Sequence, residues 1–263
     1  MFSKFGFQAY SMRDYYSNEG VTRESLTEAF GKMKSFGYDE VQTAGYGVLS
    51  DADYAAAAKD AGLKIVGTHA GFDKMVEDPD ETMRVHKEIL GTSLIGTGMM
   101  PLWARQSKDE LLRFIDKANE FAAYIAKYGF KFTYHNHSLE FVKFAGEKRI
   151  MDYLVDGFDK NNVSFCLDTY WVQFAGGSPT EWIKKLSGRI DILHLKDMAT
   201  KKEGDFSGYI TEVGQGNMDF DSIVKAAEES GVKYYCVEQD TCPGDPLDSL
   251  KLSADYIKAH FVK

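Results

Sequence analysis

The sequence predicts an α/β fold, a single (β/α)8 barrel of parallel strands ringed by helices, and three observations carry that expectation. Short β-prone runs alternate with longer amphipathic ones along the whole chain, the rhythm of a parallel sheet covered by helices. The strand candidates number eight, the count that closes a barrel. No Pro/Ser-rich linker or shift in composition divides the chain, so residues 1–263 read as one domain, a size such barrels reach as a single unit.

In order, the strand candidates are Phe5–Ala9, Glu40–Thr43, Lys64–His69, Leu94–Gly98, Lys131–His135, Ser164–Asp168, Asp191–Leu195 and Tyr234–Glu238. The helical patterns between and after them are Thr22–Phe36, Asp51–Ala61, Asp80–Ile89, Lys108–Lys127, Lys148–Val155, Thr180–Lys185, Phe220–Ser230 and Leu247–Ala259. Gly62 and Gly129 follow the second and fourth helices, where a left-handed residue turns the chain into the next strand. The longest stretch without a pattern, Ala199 to Met218, follows the seventh strand and reads as an irregular loop over the catalytic face, either part of a lid or an exposed insertion.

A net charge of −9 argues against general binding to nucleic acid or anionic membranes, and 44% hydrophobic residues suffice for a large core. A small-molecule substrate is the better expectation. The N-terminus has no apolar signal-peptide core, and no stretch approaches the roughly 20 apolar residues that span a bilayer. Cys166, Cys236 and Cys242 are odd in number, and the first two sit in apolar runs as small hydrophobes. With no disulfide framework the expectation is a cytoplasmic protein. The aromatic residues in loops are compatible with pocket closure or with a homo-oligomer interface.

Four segments carry chemistry. Phe165-Cys-Leu-Asp168-Thr-Tyr-Trp171 is an apolar strand that stops on a carboxylate. Phe132-Thr-Tyr-His135-Asn-His137-Ser-Leu-Glu140, Ile190-Asp-Ile-Leu-His194-Leu-Lys196-Asp197 and Lys233-Tyr-Tyr-Cys-Val-Glu238-Gln-Asp240 follow the same grammar. A single polar strand end can be a solvated cap, but the C-terminal ends of strands five to eight converge on one mouth in a barrel. Three carboxylates and a histidine there suit a divalent metal ion: Mn²⁺, Mg²⁺, Co²⁺ or Zn²⁺.

These motifs resemble the sugar phosphate isomerase/epimerase-like family of the xylose isomerase-like TIM barrel superfamily. The resemblance runs from Phe7-Gln-Ala-Tyr-Ser-Met-Arg13 almost to the C-terminus. It implies one divalent ion held by Glu140, Asp168, His194 and Glu238, with His137 as the alternative first ligand. It also implies an isomerase or epimerase acting on a sugar, sugar phosphate or polyol, with proton transfer by Glu140 and Glu238 through an enediolate that the ion stabilises. The same site would eliminate an oxygen β to the carbanion, so a lyase, an inosose-type dehydratase or an enzyme acting on a 3-keto glycoside, is the alternative.

Other relatives set lesser alternatives, an apurinic-site endonuclease or a non-catalytic sugar-binding protein. The endonuclease calls for a histidine-richer three-metal cluster and a basic surface. Lys196, two residues after His194, either binds an anionic group or stabilises an oxyanion, or else pairs with a neighbour such as Asp197. His69 and Tyr10 are candidate substrate contacts, and Glu40, Gln42 and Arg13 either line the opposite wall or are solvated strand-end residues. Free-ketose epimerases carry a histidine soon after the strand-six Asp. Tyr170 and Trp171 stand here instead, an expected platform for a sugar ring or a planar leaving group. Gly214-Gln-Gly216 resembles a family motif and lacks the spacing of a nucleotide loop.

Overall fold

A computed structural model describes residues 1–45, 47–146, 148–202, 204 and 207–263. Eight parallel strands form a nearly closed barrel: β1 (Gly6–Gln8), β2 (Glu40–Thr43), β3 (Lys64–Thr68), β4 (Leu94–Thr97), β5 (Lys131–His135), β6 (Val163–Asp168), β7 (Ile190–Leu195) and, after a two-stranded insertion β8 (Asp197–Thr200) and β9 (Gly208–Thr211), β10 (Tyr234–Val237). Ladders join β3-β2-β1-β10-β7-β6-β5-β4, and a bridge between Ala70 and Thr97 draws β3 and β4 together.

The helices start on the residues that should start them. The side chains of Thr22, Ser50, Asp78, Ser107, Ser178, Asp219 and Asp245 accept a backbone N–H at the first turns of α1 (Arg23–Phe36), α2 (Asp51–Asp60), α4 (Pro79–Arg84), α5 (Lys108–Ala126), α8 (Pro179–Lys185), α9 (Phe220–Glu229) and α10 (Pro246–His260). Two short helices lie outside the sequence expectations, α3 (Phe72–Glu77) and α7 (Thr169–Phe174), each too brief to show a helical period; α6 (Ile150–Gly157) completes the set. Gly62 and Gly129 have φ of 76° and 85°, as their places after helices required.

Two cores result. Phe7, Phe30, Phe114, Phe132 and Phe165 are fully buried between strands and helices. Inside the barrel a smaller cluster of Val66, Leu94, Cys166, Ile192 and Cys236 forms a floor. Above it the two-residue period of each strand repeats with increasing polarity, from Cys166 to Asp168, from Ile192 to His194 and Lys196, and from Cys236 to Glu238. The register pairs His194 with both Asp168 and Cys236, which sets the level of the site.

Part of the stretch Ala199 to Met218 is regular where an irregular loop was expected. Its start belongs to an antiparallel hairpin in which Asp197 pairs with Thr211 and Thr200 with Gly208. Asp197, 1% exposed, anchors it: Oδ2 accepts from the N–H groups of Gly214 and Gly216 at 2.9 and 3.0 Å, and Oδ1 from Met198 and Met218 at 2.7 and 3.3 Å. A Cβ on Gly216 would lie 2.3 Å from Asp197 Oδ1, so this motif exists to let backbone close on a carboxylate. Asp197→Ala leaves four N–H groups without their acceptor and is expected to cost roughly 2–4 kcal/mol of unfolding free energy in urea, with barrel circular dichroism retained.

Candidate active site

The C-terminal mouth of the barrel holds a cavity of about 300 Å³ lined by Tyr10, Ala44, His69, Gly98, Met99, His135, His137, Glu238 and Asp240. At its base, ligand atoms of His135, Asp168, His194 and Glu238 lie within 4.8 Å of one another, and all four residues are buried.

Each side chain is aimed by a neighbour. Asp168 caps α7, with Oδ1 accepting the Trp171 N–H at 2.8 Å, while its buried Oδ2 has no hydrogen-bond partner. That oxygen lies 3.8 Å from His194 Nδ1 and 3.4 Å from Lys196 Nζ. His194 Nδ1 is 2.9 Å from Glu238 Oε2. His135 Nδ1 donates to the Cys166 carbonyl at 3.2 Å, which leaves its Nε2 lone pair free. Burial, then the neighbouring His194, holds His135 well below the ordinary histidine range, and therefore neutral. Two imidazoles and two carboxylates, one of them with an orphaned oxygen, fit a divalent cation of borderline softness.

Lys196 is fully buried and keeps its strand's alternation. Its Nζ lies 2.7 Å from Asp240 Oδ2 and 3.2 Å from Glu238 Oε2, and 5.0 Å from the centre of the Trp171 ring. Burial opposes its charge, but Asp168, Glu238 and Asp240 outweigh burial and raise its pKa. Glu238 is held well below the carboxylate range because Lys196 and His194 overcome its burial. Burial and the Glu238 charge push Asp240 up to about 6. His194 is raised because the Cys166 sulfur, Glu238 and Asp168 outweigh burial. Burial and His194 push His69 down to about 3.

Four expectations need correction. Glu140 does not join the group: it sits on the turn Ser138–Phe141, fully buried, with Oε1 accepting from Tyr134 O–H at 2.6 Å and Oε2 from the His137 N–H at 2.7 Å. His135 stands in the group instead, while His137 lines the cavity with its buried Nδ1 unpartnered. Tyr170 is 4% exposed, stacks on Phe174 and backs Lys196, away from the cavity wall. Trp171 lies beside His137, rings 5.4 Å apart, with its indole N–H unpartnered among the described residues. Glu40 and Gln42 are buried inside the barrel and are not cavity walls. Lys196 pairs with Asp168, Glu238 and Asp240, Asp197 being taken up by backbone. His69 and Tyr10 do line the cavity, and Arg13 stacks on Tyr10 while donating to the Asp240 carbonyl.

Residues 30–260 match the model of the xylose isomerase-like TIM barrel family, and the chain belongs to it. A crystal structure described as a sugar phosphate isomerase/epimerase from Parabacteroides distasonis is similar over 100% of both chains, with TM-score 0.81 and 28% identity. An inosose dehydratase of Clostridium perfringens is 28% identical over 167 residues, 58% of this chain and 55% of that protein. The chain thus spans about half the length of the first curated relatives it matches. An inosose dehydratase of Geobacillus thermodenitrificans is 24% identical over 70% of this chain and 72% of its own length. Among the described residues no helix is long and apolar enough to cross a membrane.

Lys196→Met leaves buried carboxylates facing one another, and in metal-free protein at pH 8 it is expected to lose about 3–5 kcal/mol of unfolding free energy, partly restored by added Mn²⁺. Glu140 supplies a pH test. Burial, offset by the Tyr134 and His137 hydrogen bonds, pushes its carboxyl up to about 7 from an ordinary 4.5. The fold therefore favours its protonated form, a contribution complete below pH 4.5 and lost as pH rises through 7. Relative to wild type, Glu140→Gln is expected to flatten unfolding free energy across that window by about 3 kcal/mol.

Proposed function

We propose that this chain is a divalent-metal-dependent lyase that takes a proton from the carbon next to a carbonyl in a carbohydrate or polyol and expels the oxygen one carbon further on. The observation that carries this reading is the one-sided acidity of the cavity. Its acidic residues, Glu238 and Asp240, both follow β10, and the other wall presents neutral His69 and His137. A two-base epimerase needs proton carriers on opposite faces of its substrate; elimination needs one. Glu140, the expected second carrier, is sequestered behind Tyr134.

His135, Asp168, His194 and Glu238 would hold the ion, whose contribution is to polarise the substrate carbonyl as a Lewis acid. Asp240, held by Lys196 at the cavity edge, accepts the C–H proton. The released electron pair forms a C=C bond as the C–O bond breaks, and Asp240 returns the proton to the leaving oxygen, so that water departs. Lys196 keeps the surrounding carboxylates from repelling one another through this transfer. His69 and His137 offer imidazole nitrogens to substrate hydroxyl or carbonyl oxygens. The names of the inosose dehydratases support dehydration, and the substrate class is a small carbohydrate.

Isomerisation or epimerisation is the second reading, favoured by the full-length similarity to the Parabacteroides structure. An inosose incubated with the Mn²⁺-loaded protein in D₂O separates the two. Loss of one water with an unsaturated product is expected, and a deuterated epimer or isomer in its place overturns the lyase. Chelation should abolish turnover, and full activity without metal overturns the ion's role. Asp240→Asn should lower kcat by about 10²- to 10⁴-fold while Mn²⁺ affinity stays near wild type.

A further inference from the structure

We infer that Gln8 and Gln42, adjacent on β1 and β2, are positioning residues that set the protonation sites of two histidines at once. They present His194 to the ion through Nδ1 and His69 to the ligand through Nε2–H. The assignment starts from a group with no choice of role. The Tyr10 backbone N–H can only donate, and it lies 3.2 Å from Gln8 Oε1. Gln8 Nε2 is therefore the donor end, and it reaches Gln42 Oε1 at 3.0 Å and His69 Nδ1 at 3.2 Å. His69 Nδ1 accepts, so its hydrogen is on Nε2, which is buried and unpartnered among the described residues.

Gln42 Oε1, an acceptor, also lies 2.5 Å from His194 Nε2. That nitrogen must carry hydrogen, so an ion can bind only by displacing the proton that Nδ1 shares with Glu238, 2.9 Å away and beside Asp168. Both glutamines are 0% exposed, so water does not compete for these bonds. A hydrogen bond that fixes the outer nitrogen of a metal-binding histidine sets its tautomer and ring orientation.

The same relay decides between two clusters. His69, His135, Cys166 and His194 also have ligand atoms within 4.8 Å of one another. That softer set needs His194 Nε2, which lies 3.1 Å from Cys166 Sγ but donates to Gln42. An ion is directed instead to His135, Asp168, His194 and Glu238. The inference rests on the proposed ion site and is independent of the substrate.

The test is long-range ¹H–¹⁵N NMR of histidine-labelled full chain, with zinc alone as the probe. With zinc, wild type should show His194 coordinated through Nδ1 and protonated at Nε2. Before zinc, His69 should already show the Nε2–H form, and Gln8→Met should return it to a mixture. Gln42→Met should weaken zinc binding about tenfold to a hundredfold, whereas Gln42→Glu, which keeps the acceptor, should bind near wild type.

Three results overturn the inference: coordination of wild-type His194 through Nε2, wild-type zinc affinity in folded Gln42→Met, or a near-ultraviolet thiolate-to-cobalt band in the cobalt-loaded protein that Cys166→Ser removes. Should Gln42→Met fail to fold, the wild-type spectra and loss of affinity in Gln42→Glu still decide. Absence of zinc binding in wild type overturns the proposed ion site and the His194 role, while the His69 tautomer in metal-free protein still tests the glutamine pair.

Discussion

The ammonium of Lys196 is the interaction on which the mouth of this barrel depends. Asp168, Glu238 and Asp240 approach it from the ends of β6 and β10, and no arrangement of three acidic groups so close together survives burial without a compensating charge. A long side chain just past the end of β7 supplies it, supported by Tyr170 and Trp171. The acidic mouth is thus built from the inside of the barrel outward. Positive charge is part of the scaffold.

The barrel was legible because its grammar is local. Each strand candidate overlaps an observed strand, and Glu40–Thr43 and Lys131–His135 agree at both ends. The glycines after helices, Gly62 and Gly129, act through the nearest few residues, so a single sequence displays them. The hairpin β8–β9 was not legible. Its partners are eight or more residues apart, and its anchor is a carboxylate bonded to backbone rather than a side-chain pattern.

The site was legible up to the point where strand periodicity stops. Asp168, His194 and Glu238 share one interior because the strands alternate and the register is shallow. Glu140 lies beyond the end of β5 on a turn, where alternation no longer predicts direction, and Tyr134 captures it. His135 and His137 are two residues apart and share a face, a signal that could have named His135 for the group. Gln8 and Gln42 carried a quieter one. Each is an amide buried in a β-prone run, where a polar group has to be spoken for by another.

The cage around Asp197 divides the chain's freedom to vary. The base of the hairpin is fixed by Asp197, which accepts the N–H groups of Gly214, Gly216 and Met218, and by Val213, whose N–H donates to Ser253 Oγ. Changes in the hairpin that spare these bonds leave the group of His135, Asp168, His194 and Glu238 untouched. A carboxylate caged by backbone thus separates an insertion that is free to vary from strand ends that are not.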